Sequence, residues 1–199
     1  NAENDILDKG VQAILLVEDS VRFYSTYLPE LYKLVLKQSS EFLKETLNEQ
    51  QRKFRKRSRP KILLATNLDD ALSMYSKYKH NLLGVISDVG FTVHKDDSPE
   101  MEKLDAGIEL VRHIKADNEK MPILLQSSQD SISSVAQELG VGFLRKYSKT
   151  LMLQLADFIK EEFGFGDFVF RDADHVEYGR AANLKELEAM VREVPDEVL

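Results

Sequence analysis

Five short apolar runs, separated by longer amphipathic stretches, constrain this chain more than any other feature. They are Ala13–Val17 (AILLV), Lys61–Ala65 (KILLA), Leu83–Ser87 (LGVIS), Pro122–Gln126 (PILLQ) and Val141–Arg145 (VGFLR). Each reads as a buried strand with both faces covered, the pattern of a parallel sheet. Between and after them, apolar residues recur at helical spacing: Ala71, Leu72 and Tyr75; Ile108, Leu110, Val111 and Ile114; Ile132, Val135, Ala136 and Leu139; Leu151, Leu155, Phe158 and Ile159. Strands alternating with helices predict a doubly wound α/β domain, with right-handed crossovers placing helices on both faces of a five-stranded parallel sheet.

Boundary residues support this parsing. Asn67 before Leu68-Asp-Asp-Ala, and Asp130 before Ser131-Ile-Ser, each offer a side-chain oxygen to the free N–H groups of a helix start. Gly140 stands where a left-handed helix end is expected.

The first helix is predicted to run from Val21 to about Lys56, which at 1.5 Å per residue is ~54 Å and far longer than the sheet. Leu28, Leu31, Val35, Gln38 and Phe42 follow a 3-4 spacing that fits a helix–helix seam, and Pro29 is a candidate kink. Thr92 to Asp105 is acidic and reads as a loop, so insertions are expected at about 36–60 and 92–106. After Phe163 the pattern changes. Gly166–Arg171 and Val176–Arg180 predict a β-hairpin, and Asn183 with Glu186 forms a capping box for a closing helix. The predicted organisation is a tail over 1–11, a main domain over 12–163, and a hairpin-and-helix appendage over 164–199 that leads to a following module. Asn1-Ala2 and Leu199 are read as the ends of a fragment cut from something longer.

Several chemistries are excluded early. Cysteine is absent, which removes disulfides, thiolate metal sites and thiol catalysis, and points to the cytoplasm. His80, His94, His113 and His175 show no pair at ligand spacing, so zinc is not expected. Walker-type and Gly-x-Ser-x-Gly motifs are missing, and Gly164 with Gly166 reads as a turn. The longest apolar run, Ala13–Val17, is far short of a membrane span.

Charge is unevenly spread. Arg52 to Lys61 holds seven basic residues in ten and no acid, so the rest of the chain sets 20 basic against 34 acidic side chains, a balance of −14 within a net −7. With no recognition helix or interleaved aromatics, that patch reads as a solvated helix end or an acidic-partner surface, and not as a nucleic-acid interface.

In a parallel sheet, every strand's carboxyl end opens on one edge, where ligands gather. There the first strand ends in Glu18-Asp19, the third in Asp88, the fourth in Ser127-Ser128 and the fifth in Lys146. Clustered carboxylates repel one another and are tolerated where a hard cation such as Mg²⁺ neutralises them. A carboxylate beside that cation can attack phosphorus and form an acyl phosphate, with the Lys146 ammonium and Ser127 hydroxyl binding the remaining phosphoryl oxygens.

Over roughly residues 12–163 these motifs resemble the response-regulator receiver domains of two-component signalling. Val17-Glu-Asp-Ser20 looks like the family's acidic pair, Ile86-Ser-Asp88 its phosphoacceptor strand, Pro122-Ile-Leu-Leu-Gln-Ser127 its hydroxyl-bearing strand and Gly142-Phe-Leu-Arg-Lys146 its lysine strand. The resemblance implies a flavodoxin-like strand order 2-1-3-4-5 and phosphorylation at Asp88. It also implies Mg²⁺ bound by Glu18, Asp19, Asp88 and the Gly90 carbonyl, with Ser127 and Phe143 as switch residues. The implied donor is a histidine kinase or phosphotransfer protein, and the implied recipient is an attached or partner effector.

Three positions depart from the family pattern. Asp88-Val-Gly-Phe91 lacks the usual Met-Pro and leads into the acidic insertion. Tyr147 replaces a proline after the lysine, and since a cis bond there would cost about 3 kcal/mol, a trans bond is expected. Gly90 brings no side chain near the attacking water, so control of acyl-phosphate lifetime is expected to fall on Gln129.

A narrower resemblance, on the long first helix, Leu124-Leu-Gln-Ser-Ser128 and Phe163–Arg171, is to receiver segments found ahead of phosphoenolpyruvate synthase or pyruvate phosphate dikinase-type regions. Two alternatives stay open: a non-phosphorylated pseudo-receiver that dimerises through the long first helix, and a phosphatase using the same acidic cluster.

Overall fold

The computed structural model describes residues 2–8, 10–44, 59–163, 168–171, 177–181 and 189–190. Five strands, β1 (Ala13–Val17), β2 (Lys61–Ala65), β3 (Leu82–Asp88), β4 (Ile123–Ser127) and β5 (Gly142–Arg145), form one sheet in the order β2-β1-β3-β4-β5. Every pairing in it is parallel. This is the doubly wound order expected of the sequence.

Strand position explains strand composition. β1 and β4 are buried at every residue, and β3 at every residue but its last, Asp88. β2 and β5 differ from the expectation of full cover: they are the sheet edges, and only Ala65 in β2 and Leu144 in β5 are fully buried. A leucine-rich run is therefore no guarantee of a central strand.

The helices are α1 (Ala2–Leu7), α2 (Val21–Lys44), α3 (Leu68–Tyr78), α4 (Ala106–Asp117), α5 (Ile132–Glu138) and α6 (Leu151–Glu161). Ala13, Leu15 and Val17 of β1 face a core built with α1, α3, α4 and α5, whereas Ile14 and Leu16 face one built with α2 and α6. Strand alternation thus divides the apolar residues between two layers. On the α2–α6 face, Phe163 lies across β3 so closely that a methyl group on Gly84 would overlap its ring.

Several expectations are corrected. Residues 1–11 are not simply a tail: α1 buries Ile6 completely, and Asp5 pairs with Lys61 at 3.1 Å. The seam expected on the first helix belongs to the domain's own core, because Leu31 and Val35 pack on the sheet and Leu28 lies against the same cluster. Core-facing and seam-facing helices share the same 3-4 spacing. Gln38 and Phe42 lie beyond the described side chains. At 24 residues, ~36 Å, α2 still overruns a five-residue strand of ~17 Å, and it continues through Pro29.

The acidic insertion is fastened to the fold and is not a free loop. Leu68 and Asp69 donate backbone N–H bonds to the Thr92 and Val93 carbonyls, and Phe91 and Lys103 exchange a pair of backbone hydrogen bonds. Phe91 is fully buried.

Asn67 caps α3 as expected, its Oδ1 accepting from the Asp70 N–H at 2.8 Å. Asp130 does not cap α5. That helix begins one residue later, behind Ser131, and the Asp130 carboxylate instead meets Arg145 at 3.3 Å. Gly140 holds the left-handed conformation, φ +64°.

Beyond the sheet, β6 (Phe168–Arg171) and β7 (Glu177–Ala181) pair antiparallel, as the hairpin pattern predicted. The Asn183–Glu186 capping box and most of the basic stretch 52–61 lie outside the described residues.

Candidate functional site

The parallel register brings the predicted residues to one edge. Val17 is level with Ser87, Asp88 with Gln126 and Ser127 with Arg145, so Glu18, Asp88, Ser127 and Lys146 end successive neighbouring strands. Carboxylate oxygens of Glu18, Asp19 and Asp88 lie within 4.8 Å of one another.

Lys146 sits at the centre of this edge, only 8% exposed. Its ammonium contacts Asp88 Oδ2 and lies 2.7 Å from Glu18 Oε2. The backbone holds it there, since the Lys146 N–H donates to the Ser127 carbonyl at 2.9 Å. Asp88 Oδ1 accepts from the Val89 N–H at 2.7 Å, and Glu18 Oε1 accepts from the Ser20 N–H at 3.1 Å. Ser127 Oγ accepts from the Gln129 N–H at 3.1 Å.

The electrostatics follow from burial. Glu18 is 1% exposed, and its carboxyl is pushed up to about 7, first by desolvation and then by the Asp88 charge, against the opposing pull of Lys146. Asp19 is raised by desolvation, then by Asp88 and Glu102. Burial works against the Lys146 ammonium, but its two carboxylate neighbours outweigh that and raise its pKa.

These groups fit a hard divalent cation. Mg²⁺ binds oxygen at roughly 2.1 Å, so ligand oxygens across the ion stand about 4 Å apart, a span this cluster accommodates. Glu18 Oε2 is buried and receives no well-directed hydrogen bond, even with Lys146 beside it. Beyond its ion pair with Lys146, this oxygen has a further lone pair to offer a cation.

Phe143 and Ser127 lie on the same side of the sheet by alternation, because Phe143 is level with Leu125, two residues before Ser127. Phe143 is half-buried against the α3–α5 core. The described residues contain no cis peptide bond, so Lys146–Tyr147 is trans as expected. Tyr147 itself adopts φ +63°, a conformation uncommon for a bulky residue, and points largely into solvent.

The sequence reading missed four neighbours of the site. Phe23, in the first turn of α2, places its ring 4.4 Å from Lys146 Nζ and stacks on Tyr27. Tyr27 in turn accepts a hydrogen bond from buried Gln126 of β4. Gly107 brings the start of α4 against Asp88, where a methyl group would overlap the Asp88 carbonyl. Glu102, from the acidic insertion, lays its carboxylate over Gly90. An aromatic one turn after an acidic pair was a usable signal for Phe23; the others depend on tertiary contacts that no spacing encodes.

This arrangement of strands and helices recurs in solved structures. A response regulator receiver domain protein from Clostridium thermocellum superposes with a TM-score of 0.50 at 17% identity, covering 77% of this chain and 94% of that one. For a response regulator receiver protein from Sinorhizobium medicae the values are 0.51, 14%, 77% and 95%. For the non-phosphorylated HemR receiver domain from Leptospira biflexa they are 0.50, 16%, 76% and 94%. The fold is that of response-regulator receiver domains. No family model and no curated protein sequence matches the chain. The receiver fold accordingly stands on three-dimensional similarity, with the site residues at the edge where such a sheet gathers ligands. No described helix is long and apolar enough to cross a membrane.

Proposed function

We propose that this chain is a phosphoacceptor receiver of a phosphorelay, in which Asp88 accepts a phosphoryl group in a magnesium-dependent reaction. The observation that carries this reading is the meeting of Asp88, Lys146, Glu18 and Asp19 at the carboxyl edge of the sheet. Glu18, Asp19, Asp88 and the Gly90 carbonyl would hold the ion, which supplies positive charge against the phosphoryl oxygens.

The protein's own groups account for the remaining chemistry. An Asp88 carboxylate oxygen forms the new O–P bond while the donor's N–P or O–P bond breaks, and the leaving imidazole or acid carries away the bonding pair. The Lys146 ammonium, already on Asp88, neutralises charge on the transferring group. The Ser127 hydroxyl, which accepts from Gln129, is free to donate its own proton to a phosphoryl oxygen. A charge of about −1.5 to −2 on Asp88 then draws Ser127 inward, and Phe143, on the same side of the sheet, moves with it. The face built from α5, β5 and α6 carries the change outward.

The donor in this reading is a histidine kinase, a phosphotransfer protein or a small acyl phosphate. Residues 12–163 form the receiver, and 164–199 lead to the module it switches, of the phosphoenolpyruvate synthase or pyruvate phosphate dikinase type that the sequence resembles. Gln129 is exposed at the mouth of the site and has the role of limiting water access to the phosphoryl group. Incubation with Mg²⁺ and a small acyl phosphate, followed by intact-mass measurement, tests the reading. One phosphoryl group is expected on the wild type and none on Asp88→Asn; no gain, or an equal gain in both, overturns it.

A further inference from the structure

Resting on that reading, we propose that Glu102, supplied by the acidic insertion, is a fourth carboxylate that sets the charge, and hence the divalent-cation affinity, of the site. It lies beside the three clustered carboxylates without belonging to their close-packed set. Its side chain occupies the space a residue other than glycine would fill at position 90, so that a methyl group on Gly90 would overlap Glu102 Oε1. Gly90 is not in the left-handed region, so its backbone does not require glycine; a side chain there would push the end of the Glu102 side chain aside.

The placement is built in. The reciprocal backbone bonds between Phe91 and Lys103 clamp the insertion at the residues that directly follow Gly90 and Glu102. The Glu102 N–H donates to the Pro99 carbonyl at 3.3 Å, which turns the chain back just before the clamp. Neighbouring Lys103 pairs with Glu109, and among the described residues no basic side chain pairs with Glu102. Glu102 is also near enough for its charge to act on Asp19. An unneutralised carboxylate near three others attracts a divalent cation by Coulomb force, and being exposed it does so through a field that salt screens.

Binding of Mn²⁺, counted as loss of the free-ion signal in electron paramagnetic resonance, tests this without phosphorylation. At low salt, Glu102→Gln should weaken Mn²⁺ binding about fivefold. Glu102→Lys should weaken it further, and both differences should shrink as salt is raised. Gly90→Ala, which displaces Glu102, should weaken binding to a similar degree, and the double variant Gly90→Ala/Glu102→Gln should be no weaker than Gly90→Ala alone. Wild-type affinity in Glu102→Gln at low salt, or a loss indifferent to salt, overturns the role of Glu102 and leaves the cation site standing. Absence of Mn²⁺ binding in the wild type overturns the cation site, and the role of Glu102 with it.

Discussion

Two three-membered clusters occupy opposite ends of this sheet, and they are built from similar parts. At the carboxyl edge, Lys146 joins Glu18 and Asp88. At the other end, where α3 and α4 finish, Asp117 accepts from Lys79 at 2.9 Å and from the Tyr75 hydroxyl at 2.8 Å. Contact distances are alike, yet the carboxyls respond in opposite directions. Asp117 is held below the usual carboxylate range, by the Lys79 hydrogen bond first and then by Tyr75, whereas Glu18 is pushed up to about 7 with an ammonium 2.7 Å away. Exposure decides the sign: the Asp117 side chain is 39% exposed and the Glu18 side chain 1%. In the buried cluster desolvation and the second carboxylate outweigh the lysine, so its carboxyls are held together under strain that added positive charge would relieve.

The largest expected effect comes from removing the shared cation of the buried cluster. Lys146→Met keeps most of the apolar stem and leaves Glu18 and Asp88 without a counter-charge, a loss of about 3–5 kcal/mol. Urea unfolding at pH 8 in chelator should show that loss, and unfolding at pH 5 a smaller one, since Glu18, with its carboxyl pushed up to about 7, is then neutral and no longer needs the ammonium. An equal loss at both pH values would mean that packing over Phe23, and not charge, is what the lysine contributes.

The buried cluster was legible in the sequence and the exposed one was not, for a physical reason. Strand ends follow from apolar runs, and parallel topology sends all of them to one edge, so Glu18, Asp88, Ser127 and Lys146 could be placed together before any contact was known. β1 and β2 begin and end where their runs do. Asp117, Lys79 and Tyr75 meet only because α3 and α4 pack side by side, and no periodicity encodes that neighbour. The same limit hid Glu102, which reached the site through a loop, and it misassigned Asp130, whose partner Arg145 lies on another strand. The α2 stripe failed differently: its period was right, but period alone does not say whether a sheet or a second helix lies behind it.

A titration tests the comparison next. Because folding raises Glu18 from about 4.5 to about 7, the folded chain keeps a proton that the unfolded chain has already released. Stability from this group is therefore fully present below pH 4.5 and is lost as pH rises through 7, by about 3 kcal/mol in total. In chelator the wild type should lose stability across that window, and Glu18→Gln should flatten the curve. A wild-type curve that rises from pH 5 to 7 would show that Lys146 dominates after all and that the two clusters obey the same rule.

The smallest effect is expected at the exposed cluster, and its smallness is informative. Asp117→Asn removes a carboxylate whose pKa is lowered, so its contribution is present above the unfolded value near 3.8 and lost as pH falls through the folded one. At pH 7 the asparagine side-chain oxygen still accepts from Tyr75, and the Lys79 ammonium returns to water at little penalty because the pair is solvated. The urea midpoint of Asp117→Asn should therefore stay close to wild type at pH 7, and what difference there is should fade with added salt. Should this variant lose as much stability as Lys146→Met, burial could not be what separates the two ends of the sheet, and the raised Glu18 would need another cause.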